Sequence, residues 1–600
     1  MATGVDADAG QLRRILVRSS EEGSCIRNFP TDGGGGELNF PEVKSELVVI
    51  SEDGSKTICV NTDSEAVVLD SATGKEVSKF GKDISHVALS PLGSFALTWT
   101  RYSLAPGENL CAWNVASGER IAKFSQKDYL PKKWPTIQWT DDESLAGRAV
   151  KNEVHFYDGD KVGDVKFKVA VPKVDGFAIS RGGAPYRLAT LAPDTSSEPG
   201  KLAVRKLPDG ELVSTKSLFR AEAAQFSWSP TGSAALATVT NEEDPTGQSY
   251  YGETNLFFLD ASGNLDQRIE LPRAGAIFDA KWAPRGNPQF IVVYGSQPAR
   301  ATLFNAKCEP IFDFGQGAWN CINFSPHGRF VALCGFQSLS GDVEVWDRNT
   351  EQLVGAAKMV HTTSFSWSPC SRYIIAATSF PRLRVDNGYR VYEYNGSLLE
   401  KKDFDKYLLQ CEFLPAASGV YPDRPASPRS LELAKKNAEG AKGGDASTKA
   451  QPYRPPAARQ GADPLGFVRS RSVRVAPGKV NPAVWKSQKA TKGAAVPGAP
   501  AEEPKALTAS QKKNRRKKAK KQEQKASEEA EKLPNPTESD TGKGDDVTAL
   551  QKRLRNLKKK LRKAQDRKQN ADTAEQSEVA QSVGTIEKEI DDIEKKIAVM

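Results

Sequence analysis

Apolar and polar residues alternate in short runs along most of the first 420 positions, and one phrase recurs nine times among them. An apolar lead residue is followed by Ser-Pro or a related pair, then a tight turn, then a run rich in β-branched and aromatic residues. The clearest copies are 89–93 (Leu-Ser-Pro-Leu-Gly), 228–232 (Trp-Ser-Pro-Thr-Gly), 282–286 (Trp-Ala-Pro-Arg-Gly), 324–328 (Phe-Ser-Pro-His-Gly) and 367–371 (Trp-Ser-Pro-Cys-Ser). Weaker copies begin at Ile50, Trp139, Ile179 and Phe413. Successive lead residues lie 39 to 54 positions apart. A period of this size with strand-like alternation inside it marks a β-propeller, one four-stranded blade per copy. The expected fold is all-β, a nine-bladed WD-repeat-type β-propeller over residues 1–424.

One unit shows the hairpin chemistry. The run 320–324 alternates and enters the turn at Ser325; 329–335 forms the next strand; 343–347 (Val-Glu-Val-Trp-Asp) follows as a third. Proline fixes φ and glycine supplies positive φ at such turns. The third-strand tryptophans Trp113 and Trp346 are expected to pack between neighbouring blades. The ninth copy is short after Phe413, and an apolar strand at 14–18 precedes the first full copy. A ring must close to protect its edges, so the N-terminal strand is expected to complete the last blade.

Beyond 424 the pattern changes. Residues 425–546 are rich in Ala, Gly, Pro, Ser and Lys and read as a disordered linker. Leu550, Leu554, Leu557 and Leu561 then step by 4, 3, 4, and Val583, Ile586, Ile590, Ile593 and Ile597 by 3, 4, 3, 4. Each set is a coiled-coil seam. Residues 547–600 are therefore expected to be α-helical, either as an internal hairpin or paired with the helices of another protein.

Composition sharpens this division. From Pro422 onward the only aromatic residues are Tyr453, Phe467 and Trp485, too few to offset the entropy of ordering a core. The net charge of +9 conceals a split: residues 422–600 hold 40 Lys and Arg against 24 Asp and Glu, a balance of +16, which leaves −7 for residues 1–421. An acidic body with a basic tail points to a polyanionic partner for the tail, a nucleic acid or an anionic membrane surface. All eight cysteines fall in the first 411 residues without Cys-x-x-Cys spacing, and Cys59, Cys321, Cys334 and Cys411 read as small strand hydrophobes. The polar, acidic N-terminus is no signal peptide, and no apolar run is long enough to span a bilayer, so a soluble cytoplasmic protein is expected.

Catalytic patterns are missing from the sequence. The four histidines, His86, His155, His327 and His361, lack partner spacing for acid–base work, and no phosphate-binding Gly-x-x-x-x-Gly-Lys-Ser/Thr loop occurs. No metal or cofactor is expected, and the chain does not read as an enzyme. Nucleic-acid binding has more support. Lys512, Lys513, Arg515, Arg516, Lys517, Lys518, Lys520 and Lys521 put eight cations in ten positions. A second set, Lys552, Arg553, Arg555, Lys558, Lys559, Lys560, Arg562, Lys563, Arg567 and Lys568, lies along the first helical seam. Neither set is interleaved with aromatics, which favours backbone or shape recognition over base reading. Charge alone leaves RNA binding, a nuclear-import address and a solvated tail all open.

Longer phrases narrow the choice. They include 152–156 (Asn-Glu-Val-His-Phe), 249–253 (Ser-Tyr-Tyr-Gly-Glu), 298–305 (Pro-Ala-Arg-Ala-Thr-Leu-Phe-Asn), 310–315 (Pro-Ile-Phe-Asp-Phe-Gly), 381–389 (Pro-Arg-Leu-Arg-Val-Asp-Asn-Gly-Tyr) and 453–457 (Tyr-Arg-Pro-Pro-Ala). In this order, followed by the Lys-Asn-Arg-Arg-Lys run, they resemble the eukaryotic translation initiation factor 2A family of single-chain WD-repeat factors. The resemblance covers about residues 45–460 and the layout of the tail. It implies a nine-bladed propeller that docks on the small ribosomal subunit and helps place initiator methionyl-tRNA there, independently of GTP and dependent on the codon, on a subset of messages. It also implies mRNA or rRNA contacts through the tail cations, contacts with other initiation factors, and no membrane partner. Two rivals are a propeller scaffold subunit of the larger initiation factor 3 complex, without tRNA delivery, and a nuclear or ribosome-biogenesis scaffold.

Overall fold

A computed structural model of the chain describes residues 13–30, 38–39, 48–195, 198–218, 221–241, 253–273, 275–432 and 477–480. Their strands form nine antiparallel sheets, the blades of a propeller. Blade 2 shows the plan. From the ring centre outward it runs Ile84–Leu89, Phe95–Thr100, Leu110–Asn114 and Arg120–Phe124. Blade 1 covers 49–80, and blades 3 to 8 cover 137–170, 176–218, 223–268, 277–317, 321–358 and 364–403. In blades 1, 2, 3, 4, 6, 7 and 8 the third and fourth strands slip register at one recurring point, such as Ala112/Trp113 and Val345/Trp346. A bulge of this kind raises local twist and turns the outer strand against the inner ones.

Blade 9 joins the two ends of the ring. Its inner strand, Leu408–Phe413, pairs antiparallel with Arg13–Ser19, placing Val17 opposite Cys411 and Ile15 opposite Phe413. Gly23–Phe29 and Leu38–Asn39 complete the sheet. The N-terminal segment thus contributes three strands here, two more than the pattern at 14–18 indicates.

The core is divided among the blade interfaces. Nine buried apolar clusters occur among the described residues, each straddling two neighbours. Phe80 and Val87 join blades 1 and 2, Trp346 and Phe312 join blades 6 and 7, and Leu16 and Ile26 meet Cys59, Val67 and Leu69 to join blade 9 to blade 1. Trp113 stacks on Phe80 at 4.8 Å, and Trp346 meets Phe314 edge-on at 5.4 Å, so both third-strand tryptophans lie between blades. Lead-residue tryptophans add a polar staple. The indole N–H of Trp228, Trp282 and Trp367 donates to the inner-strand carbonyls of Ala178, Ser227 and Asn323 in the preceding blade, at 3.2, 2.8 and 3.1 Å.

The repeated phrase has a local cause. In seven blades the buried hydroxyl after the lead residue accepts the first N–H of the second strand: Ser51 from Lys56, Ser90 from Phe95, Thr140 from Leu145, Ser180 from Arg187, Ser229 from Ala234, Ser325 from Phe330 and Ser368 from Tyr373. Proline has no N–H to satisfy in the turn. The glycine that follows takes positive φ; at Gly232 (66°) a Cβ would also lie 2.3 Å from the Arg181 carbonyl of blade 4. In blades 3 and 8 Glu143 and Ser371 occupy the same slot at 57° and 60°.

The linker assignment needs correction at two places. Residues 425–432 pack on the ring rather than leaving it. The imidazole Nε2 of His327 meets the Tyr421 carbonyl (2.9 Å), Arg329 pairs with Asp423 (3.0 Å), and Arg372 donates to the Pro425 carbonyl (2.9 Å). A helical turn at 428–432 follows, with Ser430 buried and bonded to the Tyr394 hydroxyl (2.8 Å), and Ala426 and Leu431 against the blade 7–8 cluster. Gly478–Lys479 then adds a fifth strand to blade 6, pairing with Asp313 and Phe312. These anchors were hidden because the ring supplies most of the contacts. The rest of the linker and the 547–600 helical segment lie outside the described residues.

Candidate functional site

Every tail cation singled out above, Lys512 to Lys521 and Lys552 to Lys568, falls outside the described residues. The ring offers two rims. Antiparallel strands alternate direction, so the turns within the inner and outer hairpins share one rim, while the loops joining the second to the third strand and one blade to the next share the other.

The turn rim is acidic over blades 1 to 4, with Glu52, Asp53, Asp141, Asp142, Asp160, Asp164, Asp209 and Glu211 in its connections. Here the inner strands enclose a cavity of about 260 Å³, lined by Ile50, Leu89, Ile137, Trp139 and Ile179 among others. Arg181 of blade 4 reaches across its mouth to Glu52 of blade 1 (2.6 Å) and to Asp141 of blade 3 (3.1 Å). Burial works against the guanidinium charge, but the Glu52 and Asp141 carboxylates outweigh it and hold the Arg181 pKa above its ordinary value. The bridge ties three blades together and leaves its carboxylates neutralised.

Asp142 beside it links blades 3 and 4. It accepts from Thr140 Oγ1 (2.6 Å), Ser144 N (3.1 Å) and Ser144 Oγ (2.9 Å) and, on its other oxygen, from the Tyr186 hydroxyl (2.6 Å). Burial would raise its pKa; the donors overcome that and bring it down to about 2. An ionised, fully engaged carboxylate is a poor proton shuttle at neutral pH.

Three of the thiols are held in the protonated form by burial. Burial pushes Cys59 up to about 11 and Cys308 up to about 12, and it drives Cys411 higher still. Among the described residues no disulfide links the cysteines, and no group of three His, Cys, Asp or Glu side chains could hold a metal ion. None of the described helices is long and apolar enough to cross a membrane.

The loop rim differs in sign. Over blades 2 and 3 its loops carry Arg101, Lys127, Lys132, Lys133, Lys151 and Lys173, all exposed, against three carboxylates, Glu108, Asp128 and Asp175. Spread over 73 positions and four loops, these residues leave no run in the sequence; only the fold assembles them. A count of cations loop by loop, made after assigning the strands, is the one signal that could have found them.

Comparison with known proteins adds an independent line. The family model described as eukaryotic translation initiation factor eIF2A matches residues 216–411, blades 5 to 8 with their flanks. The chain is 33% identical over 442 residues to eukaryotic translation initiation factor 2A of Dictyostelium discoideum, covering 72% of this chain and 70% of that one. It is 31% identical over 409 residues to the protein of the same name from Drosophila melanogaster, covering 65% of this chain and 62% of that one. A solved structure described as the crystal structure of the eukaryotic initiation factor superposes with a TM-score of 0.60 at 25% identity, covering 68% of this chain and all of that one.

Proposed function

Since the chain belongs to the eukaryotic translation initiation factor 2A family, we propose that it binds the small ribosomal subunit and promotes placement of initiator methionyl-tRNA on a subset of messages without GTP. The match across the ring carries this reading. Two features of the sequence agree with it: no phosphate-binding glycine loop for a nucleotide, and a tail of balance +16 suited to RNA. The ring acts as a rigid body with closed edges. The cations Lys512–Lys521 and Lys552–Lys568 supply the electrostatic hold on tRNA, rRNA or mRNA, and counterion release makes that hold steeply salt-dependent. Such a division of labour requires no catalytic residue. Other initiation factors would meet the chain on the subunit, and the cytoplasm is where it would work.

Sedimentation with purified small subunits tests the reading. The full chain is expected to co-sediment at low salt and to be released as salt rises. Removing residues 510–600 should lower affinity at least about tenfold and flatten the salt dependence. A full chain that never co-sediments would refute subunit docking.

A further inference from the structure

We propose that the loop rim of blades 2 and 3 is a docking surface for the sugar-phosphate backbone of small-subunit ribosomal RNA, separate from the basic tail. The assignment rests on the subunit-docking reading above and gives the ring its own contact in it.

Four loops build the surface and hydrogen bonds fix them to one another. Residues 101–109 join the second and third strands of blade 2, and 125–136 lead into blade 3. Asn109 clamps the two: its amide donates to the Gln126 carbonyl (2.7 Å), and its Oδ1 accepts from Gln126 N–H (2.8 Å). Arg148 lies beneath, stacked over Phe124 and donating to the Ser125 carbonyl (3.3 Å). The turn at 151–152 meets the loop at 171–175 through Asn152, which accepts from the N–H groups of Val171 (2.8 Å) and Lys173 (2.9 Å). Lys133 reaches Asp175 at 2.5 Å and joins the second loop to the fourth. Tyr129, packed between His86 and the indoles of Trp99 and Trp134, pins 125–136 to the ring. These loops are fixed supports, as recognition by shape requires.

Among their exposed charged side chains cations outnumber carboxylates, six to two, the two being Glu108 and Asp128. Arg101, Lys127, Lys132, Lys151 and Lys173 are exposed, and no carboxylate pairs with them among the described residues. Lys133 is already matched by Asp175, and Glu108 by Lys123. Lys151 and Lys173 both sit at turn tips with positive φ, 53° and 58°, a conformation that glycine or asparagine adopts at lower cost. Between the cations stand Leu104 (60% exposed), Leu130 (47%) and Tyr102 (36%). Against RNA these apolar tips can lie on ribose and base faces while the cations take phosphates. The spacing of charge over rigid loops suits a structured helix backbone better than an acidic peptide, which would need fewer cations and a groove.

The test uses the full chain carrying Lys127→Gln, Lys132→Gln, Lys151→Asn and Lys173→Asn. Asparagine keeps the left-handed turn positions comfortable, and an unchanged melting temperature checks the fold. A control neutralises four cations on the turn rim, Lys75, Lys161, Arg285 and Lys307, all to Gln. Affinity for purified small subunits and for free initiator tRNA is measured across a salt series. The loop-rim variant is expected to bind subunits at least about tenfold more weakly, with a salt slope shallower by about one for each phosphate it no longer neutralises. Its free-tRNA binding and the control's subunit binding should stay at wild-type levels. Equal subunit binding by wild type and loop-rim variant overturns the assignment alone, as does an equal loss in the control. An affinity loss with no change in salt slope overturns it in favour of a protein partner on the subunit. A loss on free tRNA equal to that on subunits would assign the rim to tRNA instead. A wild-type chain that fails to bind subunits overturns the underlying reading and this assignment together.

Discussion

Ser229 is fully buried, and its hydroxyl is the acceptor for the Ala234 N–H where the blade 5 inner hairpin opens. Ser229→Ala should leave that amide unpaired and lower stability by about 1–3 kcal/mol, readable as a reduced denaturant midpoint at constant m-value. This residue type was legible in advance because seven blades repeat it for the same reason. Blade 6 shows the limit of the rule: Ala283 stands in the slot, and its N–H donates to the Gln289 carbonyl. Asp142 carries a pH dependence of known sign. Its folded pKa of about 2 lies below the ordinary value of about 3.9, so its contribution is complete above about pH 4 and is lost as pH falls toward 2. Asp142→Asn should destabilise at pH 6 and flatten acid unfolding between about pH 4 and 2. A wild-type profile in the variant would show that the Thr140, Ser144 and Tyr186 donors do not favour the ion.

At the scale of elements, the ring depends on a strand exchange between its ends. Arg13–Ser19 and Gly23–Phe29 bury Ile15, Val17, Cys25 and Phe29 against blade 8, and Leu16 and Ile26 against blade 1. Deleting residues 1–30 should therefore open two blade interfaces at once, because an uncovered edge strand and two stripped apolar faces remain. The expected readout is rapid proteolysis of 404–432 and aggregation; a monomeric deletion variant with unchanged melting would show that blade 9 is dispensable. Phe413, short of a following strand, and the alternation at 14–18 pointed to this junction. Gly23–Phe29 was not read, since its Gly, Ser, Arg and Asn residues blur the period-two signal. The strap at 425–432 and the strand at 478–479 escaped for another reason. Few of their own residues are apolar, and His327, Arg329, Arg372 and Tyr394, which hold the first and its approach, lie 33 to 94 positions before their partners.

At the scale of the whole molecule, charge rather than packing divides the labour. The turn rim gathers carboxylates around the Arg181 bridge, the loop rim of blades 2 and 3 gathers unpaired cations, and the sequence after 421 is basic. The sequence made the tail's bias plain because its cations are contiguous. It concealed the rim's because folding brings Arg101 and Lys173 to one surface. On the proposed reading, electrostatic contacts of both kinds would give affinity that falls with salt and reads backbone rather than base identity, as a factor acting on subunits and tRNA without a nucleotide switch would need. The most direct measurement is the binding of labelled initiator methionyl-tRNA to purified small ribosomal subunits carrying a start codon, with and without the full chain and with no GTP present. The expected result is a codon-dependent increase in bound tRNA when the chain is added. No increase at chain concentrations that saturate the subunit would contradict tRNA placement and leave a ribosome-bound scaffold in its stead.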